Sequence, residues 1–447
     1  MENGRGQWAS SFGFVLAAAG SAVGLGNLWK FPYIAGANGG GAFVITYLLI
    51  LLFLGVTVMI AEITLGRHTQ LNAYGAYKKL QAKWAWVGAM GVLTGFLIMS
   101  YYSVVGGWVI KYLVDMTTGA LAVNDPAALG AFFGGFIGAS VSPLIYMLVF
   151  MAICFVIVIG GISGGIEKAN KVLMPLLFLF IIIVAIRSMT LPGAAEGIKW
   201  LFAPDFSKFT GAGFLAAMGQ VFFSLSLGMG CMITYGSYLD KETNIAKSGW
   251  TIPLLDTFVA FMAGLAIIPA VFAFGFEPGQ GAGLVFVTLP AVFSQMPAGQ
   301  LFGIIFFLLV LFAAITSAIS LCEVVVAWLV DQKQMDRVKA TALTVLGIII
   351  FAIPTSLSLG AWSDIHLLPG KGFFDTFDFL TSNILLPLGG LLLCIFVGWV
   401  WGTDKADEEI TNGGKLQWSY APVWNFLIKY IAPVAIAVIF VVGLMPK

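Results

Sequence analysis

Apolar residues along the chain fall into long charge-free runs, separated by short stretches rich in Lys, Asp, Glu, Gly and Pro. The runs lie near 11–35, 41–66, 87–112, 143–160, 168–187, 212–235, 250–273, 300–329, 340–356, 377–401 and 426–445. A membrane-spanning helix needs about 20 mostly apolar residues, so the pattern predicts eleven spans. Period-2 alternation is absent, which excludes a closed β-barrel. The stretch 275–300 differs, because Pro290 interrupts its apolar run from Leu284 to Phe293. It predicts a short helical hairpin over an extracellular mouth rather than a span.

Two of the runs carry breaks. The first contains Gly20-Ser21-Ala22-Val23-Gly24-Leu25-Gly26-Asn27, and the sixth contains Ser224-Leu225-Ser226-Leu227-Gly228-Met229-Gly230. Glycine costs roughly 1 kcal/mol per position in a helix interior, so such clusters predict unwound segments. Close packing through small residues is the alternative reading. The spacing favours unwinding: five helices separate the two, and an odd offset reverses the orientation of the second half. Broken helices at matching positions of two inverted halves mark a midplane site in secondary transporters. The halves are expected at about 8–187 and 210–401, with an extra helix at about 424–445, in a single transmembrane domain spanning 1–447.

Composition supports the membrane assignment. Of 447 residues 60% are hydrophobic and only 10% charged, against about 25% charged in a soluble domain. The run at 12–25 resembles the core of a signal peptide, but it continues uncharged to Trp29 and many spans follow, so no cleavage is expected. Fifteen Lys and Arg fall in loops on the N-terminal side of the membrane and seven on the other. The positive-inside rule then places the N-terminus in the cytoplasm, and eleven spans place the C-terminus outside. Compact loops suggest a bacterial inner, or plasma, membrane. Net charge is +1 with no basic domain, which argues against nucleic acid. Cys154, Cys231, Cys322 and Cys394 are scattered in apolar runs without metal-ligand spacing and read as small buried hydrophobes. Two histidines, no metal motif and no nucleophile–base pair exclude an enzyme on present signals.

Polar residues inside the runs carry the chemistry. Glu62, Asp256 and Glu323 lie deep in apolar sequence, where a charge costs at least about 2.5 kcal/mol unless it faces a partner, a cavity or a cation. Glu62 reads as an acceptor for N–H groups freed by a broken helix, Glu323 as an inward structural position, and Asp256 as the functional candidate. Thr316 and Ser317 follow Ala313 on the eighth run. Adjacent hydroxyls are often bonded to their own helix, but beside a broken helix they complete an oxygen cage for a hard cation. Tyr101 and Tyr102 sit in midspan, where a phenol needs a partner. Broken ends aim N–H dipoles at an anion and freed carbonyls at cations. Together these features predict a cation-coupled transporter of a small solute, and one bearing both a carboxylate and an ammonium suits both ends.

From Trp8 to about Lys447 the sequence resembles the neurotransmitter:sodium symporter family, in its bacterial amino-acid branch. The motifs are Ala22-Val23-Gly24-Leu25-Gly26-Asn27 with Phe31-Pro32-Tyr33; Asn38-Gly39-Gly40-Gly41-Ala42-Phe43; Gly161 to Pro175 around Gly165-Ile166-Glu167-Lys168; Phe222 to Gly230; and Gly283 to Pro290. The resemblance implies an all-α, leucine-transporter-like fold of five helices plus five inverted ones, with helices 1 and 6 broken at midspan. It implies a first sodium site at Ala22, Asn27, Ser224 and Asp256, completed by the substrate carboxylate, and a second at Gly20, Val23, Ala313, Thr316 and Ser317. The carboxylate would rest on Leu25, Gly26 and Tyr102, and the ammonium on Ala22, Phe223, Ser224 and Ser226. Ile98, Tyr102, Phe223, Met229 and Leu321 would line the side-chain pocket. Lys30 with Asp378 would gate the outside, and Arg5 with Asp331, near Trp8 and Tyr238, the inside. Gly165 and Pro175 would let the fifth helix unwind.

Three departures from the family pattern carry expectations. Lys30 replaces the usual Arg and cannot offer a bidentate fork. Asp256 replaces an Asn found in chloride-binding members, so chloride independence is expected beside Gln220 and Ser224. Eleven helices stand where many relatives have twelve. Met229, where Phe is common, is adaptable, so aliphatic and aromatic L-amino acids such as leucine and tryptophan are expected cargo, carried with two sodium ions. Gly24 leaves no acid opposite the amine, which disfavours monoamines. The competing classes are an ion channel and a non-transporting amino-acid sensor on the same fold.

Overall fold

The computed structural model describes residues 6–278 and 281–445. Among them the regular elements are helices, with two isolated bridges, Gly40 to Pro204 and Leu368 to Lys371. Nine helices are long and apolar enough to cross a membrane: α2 (Gly41–Thr69), α3 (Ala82–Thr118), α4 (Ser142–Ile159), α5 (Ile162–Met189), α7 (Ile245–Ala273), α8 (Gly299–Lys333), α9 (Arg337–Leu357), α10 (Phe373–Ile410) and α11 (Ala421–Gly443). A tenth, α1, consists of Ser11–Ala22 and Gly26–Ala37, bent by 54° at the break. The eleventh, α6, is split into Gly211–Ser224 and Cys231–Gly236, neither half long enough alone. These are the eleven predicted spans, with breaks in the first and sixth, in the leucine-transporter-like arrangement.

The expected hairpin at 275–300 is instead one helix, Leu284–Gln295. Pro290 sits in the first turn of its regular part, Leu289–Gln295, after a wider turn over Leu284–Thr288. The wider turn directly before it lets the helix continue past a residue whose ring and missing N–H would break a regular one.

Lipid-facing and protein-facing positions separate by helical period. Ile45, Leu49 and Phe53 on α2, and Val434, Val438 and Val441 on α11, are exposed apolar stripes that hydrocarbon covers. The N-terminal half of α1 packs against α5, α7 and α8, with α8 also lying along α3. That wedge is the centre of the molecule.

Several charges taken out of water are paired with opposite ones. The fully buried Arg67, near the end of α2, donates from Nε to Glu409 Oε1 at 2.7 Å, and Lys241 reaches the same carboxylate at 2.7 Å. Arg67 also donates to the carbonyls of Thr243 and Glu409, joining α2, α10 and the start of α7 at one face of the bundle. Breaking such a pair costs about 3–5 kcal/mol, because one buried charge is left uncompensated.

Close approach sets the spacing of α2 and α6. A Cβ added to Gly66 would lie 2.0 Å from the Ile233 carbonyl oxygen, a backbone atom that cannot swing away. Gly66→Ala is therefore expected to destabilise the fold by about 2 kcal/mol or more, seen as a lowered Tm in detergent. Gly134→Ala, with nothing within 4 Å of the new Cβ, is the control and should leave Tm unchanged or slightly raised.

Candidate substrate and ion site

The chain turns out of helix at Val23 (φ −68°, ψ 107°) and re-enters it at Leu25 and Gly26. Those two residues stand in a first turn, where N–H groups lack a helical acceptor. In α6 the break runs from Leu225 to Gly230, with positive φ at Ser226 (54°), Gly228 (83°) and Gly230 (78°). Two of the three are glycines, for which this region is cheap. Ser226 adopts it at a cost, and its hydroxyl donates to the Ser21 carbonyl at 2.9 Å across to α1. Glu62 on α2 accepts the Gly228 N–H at 2.7 Å. Its expected role, taking up an N–H that the broken helix cannot, is what the structure displays.

Between the breaks lies a cavity of about 420 Å³. All ten residues expected to bind substrate line it: Ala22, Leu25, Gly26, Ile98, Tyr102, Phe223, Ser224, Ser226, Met229 and Leu321. The Tyr102 hydroxyl is buried and has no hydrogen-bond partner among the described residues. It lies beside the α1 break, 3.3 Å from where a Gly24 Cβ would be. Such an orphan group suits a polar ligand. The cavity continues past Phe223, Trp29 and Tyr33 to Lys30 and the exposed Asp378.

Two oxygen-rich clusters flank the breaks. In the first, Asn27 Nδ2 donates to Asp256 Oδ1 at 2.8 Å and to Ser224 Oγ at 3.1 Å, and Ser224 Oγ donates to Asp256 Oδ2 at 2.7 Å. Asn27 Oδ1 accepts the Gly24 N–H at 3.0 Å, which holds the unwound strand in place. Asn27 and Asp256 are fully buried, while Ala22 and Ser224 border the cavity. In the second, Ser317 Oγ lies 3.3 Å from the Gly20 carbonyl, 3.2 Å from that of Ser21 and 3.0 Å from that of Val23. Thr316 Oγ1 lies 3.1 Å from the Ala313 carbonyl. Carboxylate, hydroxyl, amide and carbonyl oxygens are donors for a hard cation. Among the described residues no group of three or more His, Cys, Asp and Glu could hold a metal ion.

The expected gates are placed as follows. Lys30 Nζ lies 4.9 Å from the Phe223 ring centroid. Asp378 accepts from Ser382 Oγ at 3.0 Å. At the opposite face Trp8 Nε1 donates to the Tyr235 carbonyl at 2.9 Å and its ring packs on Phe14, Tyr235 and Tyr238. Asp331 accepts from the backbone N–H and side-chain amide of Asn72, each at 2.8 Å. Arg5 lies outside the described residues.

Several contacts at that face had no sequence signal. Glu323 receives the Tyr238 hydroxyl at 2.7 Å and Arg337 NH2 at 2.5 Å. Glu167, buried in α5, accepts the Ala9 N–H at 2.6 Å and the Ser10 hydroxyl at 3.0 Å, fastening the start of α1 to α5. These two partners lie more than 150 residues away in sequence, beyond the reach of local pattern, whereas Lys171, at 2.7 Å, is four residues along the same helix.

Comparison with known proteins agrees with this geometry. The model of the sodium:neurotransmitter symporter family matches residues 5–127 and 136–446. YhdH, an uncharacterised sodium-dependent transporter of Bacillus subtilis, is 45% identical over 97% of this chain and 96% of its own. The sodium- and chloride-dependent GABA transporter 2 of Rattus norvegicus is 26% identical over 95% of this chain and 77% of its own. The crystal structure of MhsT in complex with L-phenylalanine superposes with a TM-score of 0.90 at 43% identity, covering 98% of this chain and 100% of that one. The chain belongs to the sodium:neurotransmitter symporter family.

Proposed function

We propose that this protein is a sodium-coupled symporter that imports hydrophobic L-amino acids, aliphatic and aromatic, by alternating access. The observation that carries this reading is the convergence of two helix breaks on one cavity flanked by two alkali-cation oxygen clusters. The first cluster borders the cavity, so an amino acid there can lend its own carboxylate to the ion at Ala22, Asn27, Ser224 and Asp256. Sodium then raises the affinity for substrate, and substrate for sodium, by the same factor. The second ion, at Gly20, Val23, Ala313, Thr316 and Ser317, bridges α1 to α8. The carboxylate rests on Leu25, Gly26 and Tyr102, the ammonium on carbonyls of the breaks and Ser226, and the side chain among Ile98, Phe223, Met229 and Leu321. The bound phenylalanine of MhsT supports an aromatic cargo.

In this reading the N-terminus is cytoplasmic and the C-terminus extracellular, as the charge asymmetry of the loops suggests. Lys30 and Asp378 then line the outer entrance, while Trp8, Tyr238, Asp331 and Arg5 close the inner side. Uptake of labelled leucine and tryptophan into proteoliposomes tests the proposal. An inward sodium gradient should drive accumulation of both above a choline control. Sodium-dependent binding without accumulation would point to a sensor, conductance far above transporter turnover to a channel, and no sodium effect would refute the assignment of both ion sites.

Chloride independence rests on Asp256. Its carboxylate is fixed by Asn27 and Ser224 next to Gln220, which donates weakly to the Gly26 carbonyl at 3.5 Å. A fixed negative charge there does the work a bound chloride does elsewhere. Uptake should therefore be equal in chloride and gluconate. Asp256→Asn should introduce a chloride requirement, with uptake in gluconate falling by about tenfold or more, since a lost charge beside a buried cation is worth at least 1.4 kcal/mol. Equal uptake by the variant in both buffers would refute this role.

A further inference from the structure

Asn170 stands on α5, three residues beyond the buried Glu167, and is itself fully buried. Its Nδ2 donates to the Ile166 carbonyl at 2.9 Å. A carbonyl can only accept, so this bond fixes which end of the amide is nitrogen and turns Oδ1 away from its own helix. Oδ1 has no hydrogen-bond partner among the described residues. A Cβ added to Gly20 would lie 2.3 Å from Asn170 Oδ1 and 3.0 Å from Thr316 Cβ. The orphan oxygen is therefore pressed against Gly20, with Thr316 Cβ and, at 3.2 Å from the same point, the Met174 thioether beside it; Gly20 and Thr316 belong to the second oxygen cluster.

The neighbourhood explains why no protein donor meets it. The carbonyls of Gly20, Val23 and Ala313 are acceptors, and the Thr316 and Ser317 hydroxyls already lie on carbonyls. Buried amide oxygens are nearly always satisfied, and a site surrounded by acceptors is satisfied by a cation. We propose that Asn170 supplies its side-chain oxygen to the second sodium ion, as a ligand from α5 added to those of α1 and α8. This rests on the sodium-coupled reading above. It has a consequence for gating: because the ligand belongs to the helix bearing Gly165 and Pro175, movement of α5 removes one oxygen from the ion and favours its release.

The test uses full-length protein in detergent, with sodium chloride titrated against choline chloride. Two quantities are read: the sodium concentration giving half-maximal binding of labelled leucine, and the rise in Tm caused by sodium without substrate. Asn170→Ala should raise the half-saturating sodium concentration on the order of tenfold, as losses around a metal shell do. It should shrink the sodium-induced rise in Tm, yet leave leucine binding at saturating sodium intact. Asn170→Asp, which keeps an oxygen at the same reach, should restore sodium dependence to near the wild-type value. A purely structural role would lower Tm in choline and binding capacity without moving the sodium midpoint. An Ala variant with the wild-type midpoint, or Ala and Asp variants shifted alike, overturns the proposal. Absence of any sodium dependence in the wild type would instead defeat the symporter reading itself.

Discussion

Inside a membrane no water waits to satisfy a freed backbone group, so an unwound helix must find partners in the protein or in its cargo. Every feature of the central site follows from that constraint. The breaks in α1 and α6 expose N–H and carbonyl groups in the middle of the bilayer. Glu62 takes the Gly228 N–H, Asn27 takes that of Gly24, Ser226 caps the Ser21 carbonyl, and Ser317 sits among three carbonyls. What these side chains leave over is a small set of donors and acceptors whose natural complements are a carboxylate, an ammonium and hard cations.

The same constraint gives a physical basis for coupling. In the proposed symporter a sodium ion lacking the substrate carboxylate would have an incomplete shell, and a carboxylate lacking sodium would face Asp256 across the cavity border. Each makes the other tolerable. The proposed role of the Asn170 oxygen would extend this logic to a third helix, linking occupancy of the second cluster to the position of α5. At the Trp8 face, Glu167, Glu323 and Glu409 each hold several donors, and these clusters fasten the helix ends that the proposed alternating access would release.

Much of this was legible in the sequence because lipid simplifies the code. Long charge-free runs located the spans with ends off by up to nine residues, and clustered glycines marked both breaks, although neither half of α6 is long enough to register as a span. Glu62, Asp256, Thr316 and Ser317 stood out because polar residues in apolar runs demand a partner. The hairpin at 275–300 failed because Pro290 was taken as a break, whereas the wider turn just before it lets one helix run through. Arg67 with Glu409 could not be foreseen, since 342 residues separate them. Asn170 was missed although it stands inside the predicted run at 168–187, because a single neutral polar residue between Lys168 and Lys171 at the end of a span forms no recognisable pattern.

The central claim is that one site binds sodium and the carboxylate of an amino acid together. Displacement of labelled leucine from the purified protein by leucine and by leucinol, at low and high sodium, tests it most directly. The account predicts that leucine affinity rises steeply with sodium and that leucinol, lacking the carboxylate, displaces at least about 100-fold less well, as expected when a buried polar partner is removed. Leucinol competing as well as leucine, or a leucine affinity indifferent to sodium, would contradict it.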